Sequence, residues 1–129
     1  MYVSAERFLI EWATARFAAR VSNEPPSDLQ AQLPVIIISR FGGRDVELTI
    51  DRADIDVDVY AATWAEADAL AMSAMSAFRS ELPGVLITVA SNSAVVAKVS
   101  TISAPSRRPV TDSNLSRSGA SYEVRIQAR

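Results

Sequence analysis

The 129-residue sequence contains neither cysteine nor histidine, and these two absences exclude more chemistry than any of its motifs suggests. Without cysteine there is no disulfide framework and no thiolate nucleophile, and without histidine there is no imidazole base, so hydrolytic triads and papain-like catalysis are ruled out. A Cys/His zinc site is equally excluded, which leaves only a hard cation held by oxygens as a conceivable metal. No apolar run reaches the ~18 residues of a membrane span. The first residues also lack the basic stretch followed by an apolar stretch that marks a signal peptide. The expectation is a chain that is neither secreted by signal nor membrane-spanning. What remains is ordinary in proportion: 13.9 kDa, 49% hydrophobic and 22% charged residues, with a net charge of −2, as expected of one soluble domain over 1–129.

The near-neutral total hides a segregation of charge. Residues 1–97 hold seven arginines against thirteen acids, whereas residues 98–129 hold Lys98 and five arginines against Asp112 and Glu123 alone, so a body of −6 carries a tail of +4. Asp45, Glu47, Asp51, Asp54, Asp56, Asp58, Glu66 and Asp68 crowd together with Arg52 as their one basic neighbour. Twelve of the thirteen basic residues are arginine, which suits bidentate pairing with carboxylates. Such a distribution is compatible with pairing inside the chain, with head-to-tail contact between identical subunits, or with no pairing.

Periodicity along the chain predicts an α+β fold. Ala5, Phe8, Leu9, Trp12, Ala15 and Ala19 recur at three- and four-residue intervals behind Ser4, predicting a helix over 4–21. Ile10, Ala13, Phe17 and Val21 add a second apolar stripe, which either faces a neighbouring molecule or is buried within the fold; Arg7 and Glu11 lie on the polar strip. Pro25-Pro26 ends that helix and opens a connection to Pro34. Strands are expected at about 35–41, 46–50 and 55–61, with Gly42-Gly43 as the turn between the first two. Thr63-Trp64-Ala65-Glu66 is a capping box that starts a helix over 64–82, stopped by Pro83-Gly84. Further strands are expected at about 85–90, 95–102 and 119–128, with a polar loop over 103–118. Together these give a mostly antiparallel sheet of about five to six strands packed against two helices.

Few residues offer chemistry. Strand alternation would set the carboxylates of Asp54, Asp56 and Asp58 in a row, about 7 Å between next neighbours, which is suited to a divalent cation or to a solvated or subunit-facing strand. Arg40 and Arg44 flank Gly42-Gly43, but no phosphate-binding motif surrounds them, and a hairpin explains the pair. Arg107-Arg108 and Arg117 have no interleaved aromatic residues for base stacking, so only nonspecific phosphate contact is compatible with them. Trp12, Trp64, Tyr2 and Tyr60 read as core or interface residues.

In their order, these features resemble a known family. The N-terminal amphipathic helix, then Leu33-Pro34-Val35-Ile36-Ile37-Ile38-Ser39-Arg40-Phe41-Gly42-Gly43, Ile55-Asp56-Val57-Asp58-Val59-Tyr60-Ala61 and the helix beginning Ala65-Glu66-Ala67 are similar to the tail terminator (tail completion) proteins of long-tailed siphophages, especially those of high-GC actinobacteria. Arg107-Arg108-Pro109-Val110-Thr111-Asp112, Arg117 and the strand 120–129 resemble the close of that domain, so the likeness spans roughly residues 4–129. The resemblance implies a non-enzymatic, cofactor-free virion subunit, assembled in the host cytoplasm and located at the tail-neck junction. It would form a homohexameric ring that caps the tail tube, stops its polymerisation and joins the head. The implied partners are further copies of the chain, the major tail tube protein and a head-tail connector or head closure protein, with genomic DNA passing nearby and no membrane. Candidate contact residues are Arg7, Glu11, Trp12 and Arg16 on the first helix, Asp54, Asp56 and Asp58 on the acidic strand, and Arg107, Arg108, Asp112 and Arg117 in the loop. A head-tail adaptor or head closure protein is the alternative within the same assembly, and a metal-dependent binding module built on the Asp54/Asp56/Asp58 row is the third reading.

Overall fold

Alternation along one strand, Ile50–Ala61, divides the molecule into two faces: Ile55, Val57 and Val59 are buried under helices, while Asp54, Asp56 and Asp58 point the other way. The computed structural model describes residues 2–110 and 114–129. In chain order the elements are α1 (Ala5–Arg16), β1 (Arg20–Ser22), β2 (Val35–Glu47), β3 (Ile50–Ala61), α2 (Trp64–Ser80), β4 (Leu86–Val89), β5 (Asn92–Arg107) and β6 (Ser116–Ala128). They form an α+β fold in which a six-stranded sheet, ordered β1-β2-β3-β6-β5-β4, carries both helices on one face. The β1–β2 pair is parallel and every other neighbouring pair is antiparallel.

The core lies between helices and sheet. Phe8, Leu9 and Ala13 of α1 and Ala71, Ala74 and Phe78 of α2 pack on Ile36, Ile38, Ile55, Val57, Tyr122, Val124 and Ile126. Alanines at 67, 71, 74 and 77, all buried, leave room for α2 to approach the strands closely. Phe78 then stacks on Tyr122 at 4.8 Å and takes the edge of Trp12 at 5.2 Å. Both helices begin at hydroxyl caps: Ser4 accepts from the Arg7 N–H and Thr63 from the Glu66 N–H, each interaction contributing about 1 kcal/mol.

Three expectations need correction, and one open alternative is resolved. The first helix does not run over 4–21: it ends at Arg16, Phe17 is already extended, and Arg20–Ser22 pairs with Val35–Ile37 as β1. Here the edge of β2 competes for the chain and outweighs helical periodicity. The second apolar stripe is largely used within the fold, since Ala13 and Phe17 are buried and Ile10 and Val21 pack against the core. Gly42-Gly43 is not a turn but lies within β2, just after a bulge at Phe41, and Leu48-Thr49 makes the reversal instead. Gly43 has φ +105°, and a Cβ there would overlap the Arg52 carbonyl oxygen, so glycine is required by close backbone approach. Finally, both ends of the expected 103–118 loop are strand. β5 continues to Arg107 and β6 starts at Ser116, because register shifts around Ser103 leave Pro105 outside the regular ladder, where its missing N–H does no harm.

Candidate functional site

The sheet face away from the helices carries the charged residues singled out in the sequence. Cross-strand register places Asp56 opposite Ser121 and Asp58 opposite Gly119, and Arg108 and Arg117 sit at the far end of the β5–β6 hairpin. Arg108 directly follows β5 and pairs through its N–H with the Arg117 carbonyl, so its side chain must cross the β6 chain to reach Asp58. Gly119 makes this crossing possible: a Cβ at that position would overlap Cδ and Nε of Arg108 and Oδ1 of Asp58. The residue's role is therefore space rather than backbone freedom.

The result is a clasp. Asp58 Oδ1 accepts from Arg108 Nη1 at 3.0 Å and from Arg117 Nε at 3.1 Å, and the Asp58 side chain is only 9% exposed. Asp56 Oδ1 accepts from Ser121 Oγ at 2.5 Å and lies 3.6 Å from Arg108 Nη1. Arg117 also donates to the Pro109 carbonyl and sits 5.6 Å from the centre of the Tyr60 ring. Its hydrogen bond to Asp58 holds the Arg117 guanidinium above its ordinary range, and burial pushes the Tyr60 hydroxyl up. Pairing within the chain, one of the three charge arrangements compatible with the sequence, is present here.

This geometry argues against the metal reading of the acidic row. Asp56 and Asp58 already hold cations and a hydroxyl at the positions a metal would need, and Asp54 lies a residue pair away, beside Gly42. Among the described residues, no group of three acids converges on a common point. An open hollow of about 640 Å³ lies beside the clasp, lined by Leu29, Tyr60, Leu115 and Arg117 among others. On its rim Asp28 accepts from Gln32, which holds its carboxyl below the usual range.

The remaining candidates do not join the clasp. Trp12 packs between Phe17 and Phe78 in the helix layer. Arg16 is bidentate to Glu81, with 2.6 and 2.9 Å hydrogen bonds, and lies over Phe17. Arg7 and Glu11 are exposed on α1, Arg107 lies 4.4 Å over the Trp64 ring on the helix face, and Asp112 lies outside the described residues. Sequence reasoning missed Ser121, Gly119 and the bidentate Arg40–Asp51 pair. A signal existed for Gly119, since an isolated glycine in an alternating strand marks a close approach.

No family model matches the chain, and no curated protein matches it. A chain in the solved virion of a native gene transfer agent particle is similar in fold, with a TM-score of 0.51 and 17% identity over 89% of this chain and 83% of that one.

Proposed function

We propose that this chain is a non-enzymatic structural subunit of a phage-type virion and that, within the virion, it serves as the tail terminator. The observation that carries the proposal is the fold shared over 89% of the chain with a component of the gene transfer agent virion. The state of the acids supports the same reading, because carboxylates engaged by arginine and serine are poor general bases and poor ligands. In this role the chain forms a homohexameric ring on the head-proximal end of the tail tube, meeting the tube on one side and a connector or head closure protein on the other.

The two sheet edges suit a ring. Among the described residues, β5 beyond Val96 has a strand neighbour only in β6 and β2 beyond Ile37 only in β3, so edges without a strand partner lie on opposite sides of the sheet, Glu6 taking the Arg40 N–H on the second. Two different edges permit the heterologous joining that a closed ring requires. Exposed Arg7 and Glu11 are assigned to subunit contacts, and the β5–β6 hairpin with Arg107 to a partner ring. Arg16, Asp56, Asp58, Arg108 and Arg117 hold the subunit's own shape, on which those contacts depend.

The test is the mass of the purified protein, alone and with tail tubes, combined with tube length when the protein is present during polymerisation. Six copies and arrested tubes are expected. Twelve copies that bind no tube end would shift the assignment to a head-tail adaptor, and a monomer at high concentration that also ignores tubes would end the ring reading.

A further inference from the structure

Register places four cations side by side. Arg44 of β2 is opposite Arg52 of β3, Arg52 is opposite Arg125 of β6, and Arg125 is opposite Lys98 of β5. All four lie on the face away from the helices: their strand neighbours Ala53, Val124 and Val99 are buried in the core, and alternation sends the cations the other way. At ~4.8 Å between strands, the row is about 14 Å long. Like charges directly opposite one another on a sheet repel, so such a row is unfavourable unless something compensates it. Among the described residues, Glu123 alone reaches in, 3.8 Å from Arg52 Nε and 3.5 Å from Arg125 Nε. Neither Nε is hydrogen-bonded although both are buried, and Arg44 and Lys98 at the two ends are exposed with no carboxylate within salt-bridge reach among the described residues.

We propose that this row is a nonspecific contact for the phosphate backbone of double-stranded DNA. A flat ladder of evenly spaced cations matches a partner whose negative charge is itself regularly spaced, and a nucleic-acid backbone is such a partner. Among the described residues the row itself contains no aromatic side chain and no projecting helix to read base edges, and Tyr60, on the same face, is half-buried beside Arg117, so contact is with phosphate and independent of sequence. Glu123 and Asp54, in the adjacent rank of the ladder, keep the contact weak and reversible. The arginines that the sequence alone would nominate for phosphate, Arg108 and Arg117, are committed to Asp58, so the role falls to Arg44, Arg52, Lys98 and Arg125. The inference rests on the virion reading in one respect, since a DNA-containing particle is where a weak, sequence-independent contact has a use.

The experiment measures binding of the full-length protein to a fluorescent duplex of arbitrary sequence by anisotropy, between 50 and 200 mM salt, with assembly mass recorded in parallel. With four phosphates neutralised per subunit, affinity is expected to fall on the order of a hundredfold across that range. Replacing the exposed ends, R44Q with K98Q, should reduce the fall to about tenfold while leaving assembly mass and the unfolding midpoint unchanged. R20Q, which removes one exposed arginine outside the row, should leave the salt dependence as it was. Absence of salt-dependent binding, or a double variant that binds as the parent does, overturns the proposal. So does equal or tighter binding of polyglutamate, which would point to an acidic protein surface. Rings that bind no DNA would refute the row and spare the terminator reading, and DNA binding by a permanent monomer would do the reverse.

Discussion

Gly119→Ala tests whether the clasp depends on an empty position. The added methyl would occupy the path of Arg108 over β6, displacing the guanidinium from Asp58, Asp56 and Ser121. Removing one partner of a buried pair costs about 3–5 kcal/mol. Asp58 retains Arg117, however, and Arg108 is 23% exposed, so a loss of about 2–3 kcal/mol is the appropriate scale. Alanine is favoured over glycine in a strand by about 0.5–1 kcal/mol, which leaves a net destabilisation of about 1–2.5 kcal/mol. Urea unfolding at fixed protomer concentration should show a midpoint lowered by roughly 0.5–1.5 M with an unchanged slope. The decisive comparison is the same substitution in an Arg108→Ala background, where no guanidinium stands in the way and only Asp58 Oδ1 remains close, so Gly119→Ala should cost clearly less than in the parent. Equal destabilisation in both backgrounds would refute the reasoning, because the penalty would then belong to Asp58 or to the backbone at 119 and not to the crossing side chain.

Three other outcomes follow from the same structure. Tyr122→Phe should be neutral or stabilising by up to about 1 kcal/mol in unfolding experiments, because the Tyr122 hydroxyl is buried without a hydrogen-bond partner among the described residues; burial pushes its pKa up to about 12, which a spectroscopic titration would detect. Gly43→Ala should destabilise by about 2–3 kcal/mol, since both the φ of +105° and the overlap with the Arg52 carbonyl oppose a side chain, and a midpoint unchanged in urea would contradict that account. The Arg16 hydrogen bond holds the Glu81 carboxyl below its ordinary 4.5, so its contribution to stability is present above that pH and is lost as pH falls through the lowered folded-state pKa. Carboxyl NMR titration should show Glu81 returning toward 4.5 in Arg16→Gln.

Legibility in the sequence tracked the range of the interactions involved. The second helix was readable because its signals are local: a capping box at Thr63, an alanine-rich stripe, and Pro83-Gly84 after its end. The alternation of β3 and β6 was equally local and correctly separated a buried face from a charged one. The 103–118 segment misled because its prolines and serines are turn formers, and strand pairing with β6 overrode them. The first helix misled for the same reason at its end, where β2 captured Val21. Among the candidate residues, Asp56, Asp58, Arg108 and Arg117 came together, whereas Trp12 and Arg16 were absorbed elsewhere in the fold, a division that no spacing in the chain announces.

What the sequence by itself determined was the range of possible chemistry, since the absence of histidine and cysteine holds in any fold, together with the α+β character set by local periodicity. Which cation meets which anion was decided by tertiary structure alone. Asp58 and Arg117 lie 59 residues apart, and the row from Arg44 to Lys98 exists only in one register. Bulges at Phe41 and Ala97 set that register, and because side chains alternate with a period of two, a slip of one residue would turn the same arginines toward the core.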